Sequence, residues 1–116
     1  MDISNATAAL SALAQEHRLA AFRLLVRAGA DGLPAGAVAR ELDIPHNTLS
    51  THLSTLVGAG LAQSRREGRS IIYSVDFAGT RDLLAFLLED CCLGAPERCD
   101  AVLGTVLPDC CPGAPS

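Results

Sequence analysis

All five cysteines of this 116-residue chain lie between Cys91 and Cys111, and the first 90 residues contain none. In a reducing compartment such a cluster reads as a thiolate ligand set or a redox site before it reads as a disulfide framework. Cys91 and Cys92 are adjacent, Cys99 follows, and Cys110 and Cys111 form a second adjacent pair. The second pair belongs to a repeat: Asp90-Cys-Cys-Leu-Gly-Ala-Pro96 recurs as Asp109-Cys-Cys-Pro-Gly-Ala-Pro115, six of seven residues identical at a spacing of 19. A duplicated tail without a role is the alternative. A thiol-redox sensor is disfavoured because adjacent cysteines form strained disulfides, and Arg98 is the only nearby cation to lower a thiol pKa. A tetrahedral zinc or cadmium site could take four of the five cysteines, although the spacings do not match a zinc knuckle. Cys92 and Arg98 satisfy a Cys-x5-Arg phosphatase spacing. That loop must follow a strand and cradle an oxyanion with backbone N–H groups, whereas here it follows an apolar helical stretch and contains Pro96. With no Ser-His-Asp or paired-carboxylate arrangement either, the expectation is a protein that is not an enzyme and has no small-molecule substrate.

A second constellation lies mid-chain. Leu49, Leu53, Leu56 and Val57 recur at i, i+4, i+7 and i+8, which seats a helix over about residues 45–59 on a core. The opposite face then holds Asn47, Ser50, Thr51, Ser54 and Thr55, and no acid occurs between Asp43 and Glu67. Small uncharged donors and acceptors of this kind suit contact with phosphates and base edges. An ordinary solvated face is the alternative, but such faces usually carry Glu and Lys. Beyond Gly58 and Gly60 the period changes to that of two strands, over about 61–66 and 69–75, with Ile71, Tyr73 and Val75 alternating on one face. Glu67-Gly68 makes a tight turn between them, so Arg65, Arg66 and Arg69 gather at a hairpin tip against one acid.

The elements that position these groups are short. Ser4 or Asn5 can cap a first helix to about Gln15, with Ala6, Leu10, Leu13 and Ala14 on one face. A second, over about 17–28, carries Leu19, Phe22, Leu25 and Val26 and stops at Gly29-Ala30-Asp31-Gly32. Pro34 opens a third, with Val38 and Leu42 inward, and Asp43 can cap the next. A final helix, from about 78 or 80 to 90, is apolar over most of its circumference (Leu83, Leu84, Phe86, Leu87, Leu88). It must be buried on more than one side, as it would be between two subunits against the first helix.

The balance of 9 arginines against 13 acids, net −4 with 49% hydrophobic and 19% charged residues, fits one globular domain. It excludes a chain that coats nucleic acid over its whole surface, but not a local DNA-binding face. No apolar stretch approaches the roughly 20 residues of a membrane-spanning helix. Met1-Asp2-Ile3-Ser4 lacks the basic and apolar regions of a signal peptide, so the expected location is the cytoplasm, with no membrane partner. The expected division is residues 1–90 for DNA binding and dimerisation, and 91–116 for a Cys/Gly/Pro-rich tail that carries the thiolate ligand set.

This order of elements is that of a winged helix-turn-helix, mainly α with a small β-hairpin. The stretch from His46 to Leu56 (His-Asn-Thr-Leu-Ser-Thr-His-Leu-Ser-Thr-Leu), Gly58-Ala59-Gly60-Leu61, Arg66-Glu67-Gly68-Arg69 and Leu13-Ala14-Gln15-Glu16-His17-Arg18-Leu19 together resemble the ArsR family of metalloregulatory repressors, over about residues 10–92. The resemblance implies a homodimer on double-stranded operator DNA that lets go when an inducer binds. The 45–59 helix would enter the major groove, engaging it through His46, Asn47, Thr48, Ser50, Thr51 and Ser54, and Arg65, Arg66 and Arg69 would lie on the wing. His52, at the edge of the leucine stripe, reads as a packing residue. Two common inducer sites of the family are missing: Val38-Ala39-Arg40-Glu41-Leu42 has no Cys-x-Cys, and no histidine follows His52. Cys91, Cys92 and Cys99 instead resemble the arsenic sensors with an adjacent cysteine pair and a third cysteine just beyond. The implied inducer is As(III), with Sb(III) or methylarsenite as further candidates, held by three soft thiolates and with Cys110 and Cys111 as possible additional ligands. Adjacent cysteines on a helix diverge by about 100°, so the helix end would have to unwind, and Gly94 and Pro96 could turn Cys99 back toward the pair.

Overall fold

A computed structural model describes residues 1–88 of the chain. The chain divides into two compact units, Met1–Leu83 and Leu84–Ser116, and the described part of the second is the end of one helix. The first unit contains helices α1 (Ile3–Leu13), α2 (Glu16–Ala28), α3 (Ala35–Leu42) and α4 (His46–Gly58), with a 3-10 turn at Gly29–Asp31. Strands β1 (Leu33–Pro34), β2 (Ala62–Glu67) and β3 (Ser70–Val75) form an antiparallel sheet in the order β1-β3-β2. Helix α5 (Phe77–Leu88) follows. Cys91, Cys92, Cys99, Cys110 and Cys111 lie outside the described residues, as does everything expected of the tail. Among the described residues no helix is long and apolar enough to cross a membrane.

The core is built around α4. Leu49, Leu53 and Leu56 have no exposed surface, as the stripe predicts, and each contributes about 1.5–3 kcal/mol through burial. Val38 on α3 and Leu25 on α2 are equally buried, and Leu61 and Val75 close the core beneath the sheet.

Several expectations about the smaller elements are corrected. Asp2, not Ser4 or Asn5, caps α1: its Oδ1 accepts the Asn5 N–H at 2.7 Å. The buried face of α1 is Ala6, Ala9 and Ala12, while Leu10 is exposed; small side chains let the helix lie close to its neighbours. On α2, Ala21 and Leu25 are buried, whereas Leu19 and Val26 are exposed. β1 is a third strand that the hairpin pattern alone does not suggest. It makes β3 the central strand, paired on both edges; Ile72, Tyr73, Ser74 and Val75 are all buried and Ile71 is exposed near the tip. The expected alternation of Ile71, Tyr73 and Val75 does not hold because burial follows distance from the tip rather than the face: Ile71 is exposed, and residues 72–75 are covered on both faces.

Asp43 does not cap the helix after it; it ends the helix before it. Its φ of 54° places it in the left-handed region. The Ile44 N–H reaches the Ala39 carbonyl at 3.0 Å and the Asp43 N–H the Arg40 carbonyl at 3.3 Å, with Ile44 buried. This is a Schellman turn, and Asp is one of the few non-glycine residues that tolerate its left-handed position. α4 ends in the same way at Gly60, φ 80°, where Leu61 N–H bonds Leu56 O at 3.0 Å and Gly60 N–H bonds Val57 O at 3.0 Å. α5 begins earlier than the sequence pattern suggests because Asp76 caps it, its Oδ1 accepting the Gly79 N–H at 2.9 Å. Of the expected apolar set on α5, Leu83 is buried and Leu84 and Leu87 are exposed.

Candidate nucleic-acid interface

The Schellman turn at Asp43–Ile44 sets α4 across α3, and burial of the leucine stripe leaves the opposite face outward. His46, Asn47, Thr48, Thr51, Ser54 and Thr55 are exposed, and Ser50 is half-buried. Thr51 donates its hydroxyl to Asn47 O at 3.3 Å and Thr55 donates to Thr51 O at 3.1 Å, so both hydroxyl protons turn back onto the helix. Neither α3 nor α4 has a side-chain cap, because each is preceded by a proline, Pro34 or Pro45, and neither has an acid in its first turn. The positive ends of both helices are therefore uncompensated by carboxylates from their own first turns.

The hairpin extends beyond the core: from Gln63 to Ile71 every residue is exposed. Its three arginines are not equivalent. Adjacent strand positions face opposite sides of a sheet, so Arg65 and Arg66 diverge. Arg65 is engaged: its Nε donates to Glu67 Oε2 at 2.6 Å, and its terminal nitrogens donate to Ala30 O at 3.4 Å and Asp31 O at 2.8 Å. It ties the hairpin to the 3-10 turn that leads into β1. Arg66 and Arg69 have no carboxylate partner among the described residues.

Arg69 and His46, distant in sequence, line one groove of about 210 Å³ together with Gly36 at the start of α3, Ser70, Ile71 and Tyr73 on β3. The sequence pattern singled out Arg69 and His46 for contact with nucleic acid, but not Gly36 or Ser70, and Tyr73 only as a strand residue. Only the pairing of β1 with β3 brings the start of α3 beside the hairpin, and that pairing rests on two residues, Leu33 and Pro34. Gly32, just before them, has φ 70°, and a Cβ there would overlap Tyr73 O, so the approach of this segment to β3 requires glycine.

His52 lies on the inner side of α4, half-buried, as expected of a packing residue. Its ring meets that of His17 edge-on with centroids 5.6 Å apart, and Arg18 Nη1 is 3.5 Å from its Nδ1. Arg18 is itself fixed by Nε donating to Ala12 O at 2.6 Å. Burial, then the Arg18 guanidinium, then His17, push the His52 pKa below its usual 6.5. Among the described residues no group of three or more His, Cys, Asp or Glu side chains is placed to hold a metal.

Residues 13–65 match a family model described as a helix-turn-helix domain. No curated protein sequence matches the chain significantly. Several solved structures are similar. A homodimeric winged helix-turn-helix DNA-binding domain from Mycobacterium bovis, described as a possible ArsR-family transcriptional regulator, is 27% identical, with a TM-score of 0.63 over 76% of this chain and 81% of that one. An ArsR-like transcriptional regulator from Rhodococcus sp. RHA1 is 26% identical, with a TM-score of 0.65 over 90% and 93%. The reduced form of HlyU from Vibrio cholerae is 28% identical, with a TM-score of 0.56 over 72% and 88%. Helix order, the α3–α4 turn, the three-stranded sheet with its projecting hairpin and these likenesses agree on one architecture: the described chain is a winged helix-turn-helix.

Proposed function

We propose that the protein is a transcriptional repressor of the ArsR family, binding operator DNA as a homodimer and released by trivalent arsenic. The observation that carries the DNA-binding reading is the acid-free polar face of α4, outward beside a wing bearing Arg66 and Arg69. α4 enters the major groove, with Asn47, Ser50, Thr51 and Ser54 reading base edges while His46 and Thr48 lie near the backbone. The wing arginines engage phosphates or the minor groove. The homodimeric state of the mycobacterial domain supports a dimer here.

The inducer reading rests on the sequence of the tail. Cys91, Cys92 and Cys99 supply three thiolates, a donor set that favours soft As(III) or Sb(III) over oxygen-seeking ions; Cys110 and Cys111 offer a second pair. Release is a coupling between two sites, so DNA must weaken arsenic binding by the factor by which arsenic weakens DNA binding. The reduced protein is tested on its own upstream DNA, with arsenite, zinc and peroxide each added separately. Release by arsenite, with Cys91→Ser and Cys99→Ser proteins that still bind DNA but no longer respond, is the expected result. Fully inducible variants overturn the ligand assignment; loss of DNA with zinc or peroxide alone replaces the inducer.

A further inference from the structure

We propose that Arg18 and His52 form a proton-controlled tie between the α1–α2 corner and α4, closed while the His52 ring is neutral and opened when it takes up a proton, so that DNA binding carries a term that weakens as pH falls. This rests on the DNA-binding part of the function proposed above and adds Arg18 to it, as a positioning residue that acts through α4. Arg18 stands where α1, α2 and α4 meet. Its backbone N–H donates to Gln15 Oε1 at 2.9 Å and its Nε to Ala12 O at 2.6 Å, so the side chain is anchored to the last turn of α1 and the start of α2. Its Nη1 lies 3.5 Å from His52 Nδ1. Among the described residues this is the one side-chain polar contact that reaches α4 from another helix; the hydroxyl bonds of Thr51 and Thr55 stay within α4. The rest of the seat of α4 on the helices is the leucine stripe, whose burial is strong but non-directional.

A guanidinium has donors only, so the contact requires Nδ1 as acceptor and the ring proton on Nε2. Protonation turns both ring nitrogens into donors: the acceptor is lost, and two cations face each other across 3.5 Å. Nothing packed round the ring compensates that charge. α2 presents Arg18 and the His17 ring, edge-on with centroids 5.6 Å apart, and Glu16 beside them is exposed. α1 has no ionisable side chain from Ile3 to Leu13. Arg40 and Glu41 on α3, and Arg65, Arg66 and Glu67 on β2, are exposed, and the charges that act on the ring are Arg18 and then His17. An opened tie leaves the inner edge of α4 held by apolar contact alone, whereas hydrogen bonds to base edges demand a fixed pose. His46, exposed at the start of α4, works in the opposite sense, because its protonation adds a cation near phosphate and tightens binding. The sign of the pH dependence therefore separates a tie from a histidine that only feels the charge of DNA.

Two measurements test the tie. In the isotope-labelled free protein, the His52 ring and the Arg18 Nε–H are followed by NMR as pH is lowered from about 8 to about 5.5, the range in which histidine changes charge. Both are expected to shift with one midpoint, below the usual 6.5 of histidine. The Arg18 shift is expected to be lost in His52→Asn, whose amide oxygen offers a non-titrating acceptor near the position of Nδ1. Affinity for the upstream DNA is then compared between wild type and His52→Asn at constant ionic strength, so that His46 and the other groups cancel in the ratio. The wild type is expected to lose about threefold relative to the variant over the same pH range, the size of about half a pKa unit between free and DNA-bound protein. Arg18→Gln removes the cation and is expected to raise the His52 midpoint and abolish that relative loss. An Arg18 signal that does not follow His52 overturns the tie without reference to DNA. An affinity ratio that stays constant, or moves the other way, overturns the coupling to DNA and leaves the repressor reading intact. A protein that binds no upstream DNA at any pH removes the repressor reading, and the coupling falls with it.

Discussion

Replacing Arg65 separates an arginine that holds the wing from Arg69, which is proposed to touch nucleic acid. In the structure its guanidinium is committed to Glu67 and to the carbonyls of Ala30 and Asp31. The ion pair is open to solvent, with 44% and 57% of the two side chains exposed, so screening reduces it to about 0–1 kcal/mol. The 2.8 Å bond to Asp31 O adds a net contribution of about 0.5–1.5 kcal/mol, and the 3.4 Å bond to Ala30 O is too long to add much. Arg65→Gln should therefore cost about 1–2 kcal/mol in urea unfolding. It should weaken DNA binding severalfold by loosening the hairpin and by leaving Glu67 uncompensated beside the DNA. The slope of log K against log salt should hardly change, because this charge is already paired. Arg69→Gln should do the reverse: stability unchanged within about 0.5 kcal/mol, and a slope shallower by about 0.9. Adding Glu67→Gln to Arg65→Gln should recover part of the lost affinity. The reasoning is refuted if Arg65→Gln flattens the salt dependence as much as Arg69→Gln while leaving the unfolding free energy untouched.

Three further outcomes follow from the packing. Gly79→Ala places a methyl onto the Gly60 carbonyl oxygen and should destabilise the protein by more than about 2 kcal/mol in denaturant unfolding; an unchanged midpoint would mean that the α5 start can shift aside. Asp43→Gly removes the strain of a left-handed non-glycine residue and should alter stability by no more than about 1 kcal/mol, whereas Asp43→Val should be clearly destabilising. His52 has a folded pKa below its unfolded 6.5, so the unfolded chain takes up the proton first. Stability from the neutral ring is fully present above pH 6.5 and is lost as pH falls through the folded pKa. Unfolding curves between pH 8 and 5 should show that loss, and His52→Gln should diminish it; an identical pH profile in the variant would refute the assignment.

What could be read from the sequence depended on how much chain each feature had in which to declare itself. The leucine stripe of α4 repeats over two turns, and the structure buries all three leucines, leaving the predicted polar residues on the other side. The hairpin arginines were legible because a glycine turn fixes where the tip must be. The difference between Arg65 and its neighbours was not, since it depends on carbonyls some 35 positions away. β1 is two residues, one of them proline, too short for any alternation, yet its pairing with β3 sets where Gly36 lies. Hydrophobic size does not reveal the inward face of α1, because close helix approach selects alanine there. Asp43 is ambiguous in sequence because the same side chain that caps a helix start also tolerates the left-handed position at a helix end. The cysteine tail was the most conspicuous chemistry in the sequence, and it lies outside the described residues.

The junction below the hairpin has a consequence for how the wing can vary. Asp76 N–H bonds Leu61 O at 2.9 Å, and Gly79 lies so close to the Gly60 carbonyl that no side chain fits between them. The segment from Gly60 to Gly79 is thus a closed excursion whose two ends are clamped together by main-chain atoms, whatever the side chains of the wing. Lengthening it at Glu67–Gly68 adds only a slowly growing closure entropy, about 0.6 kcal/mol per doubling of a flexible loop. Residues inserted at that tip would leave α4 and the start of α5 where they are. The wing is in this sense an interchangeable module, able to change its surface residues without re-engineering the core that carries it.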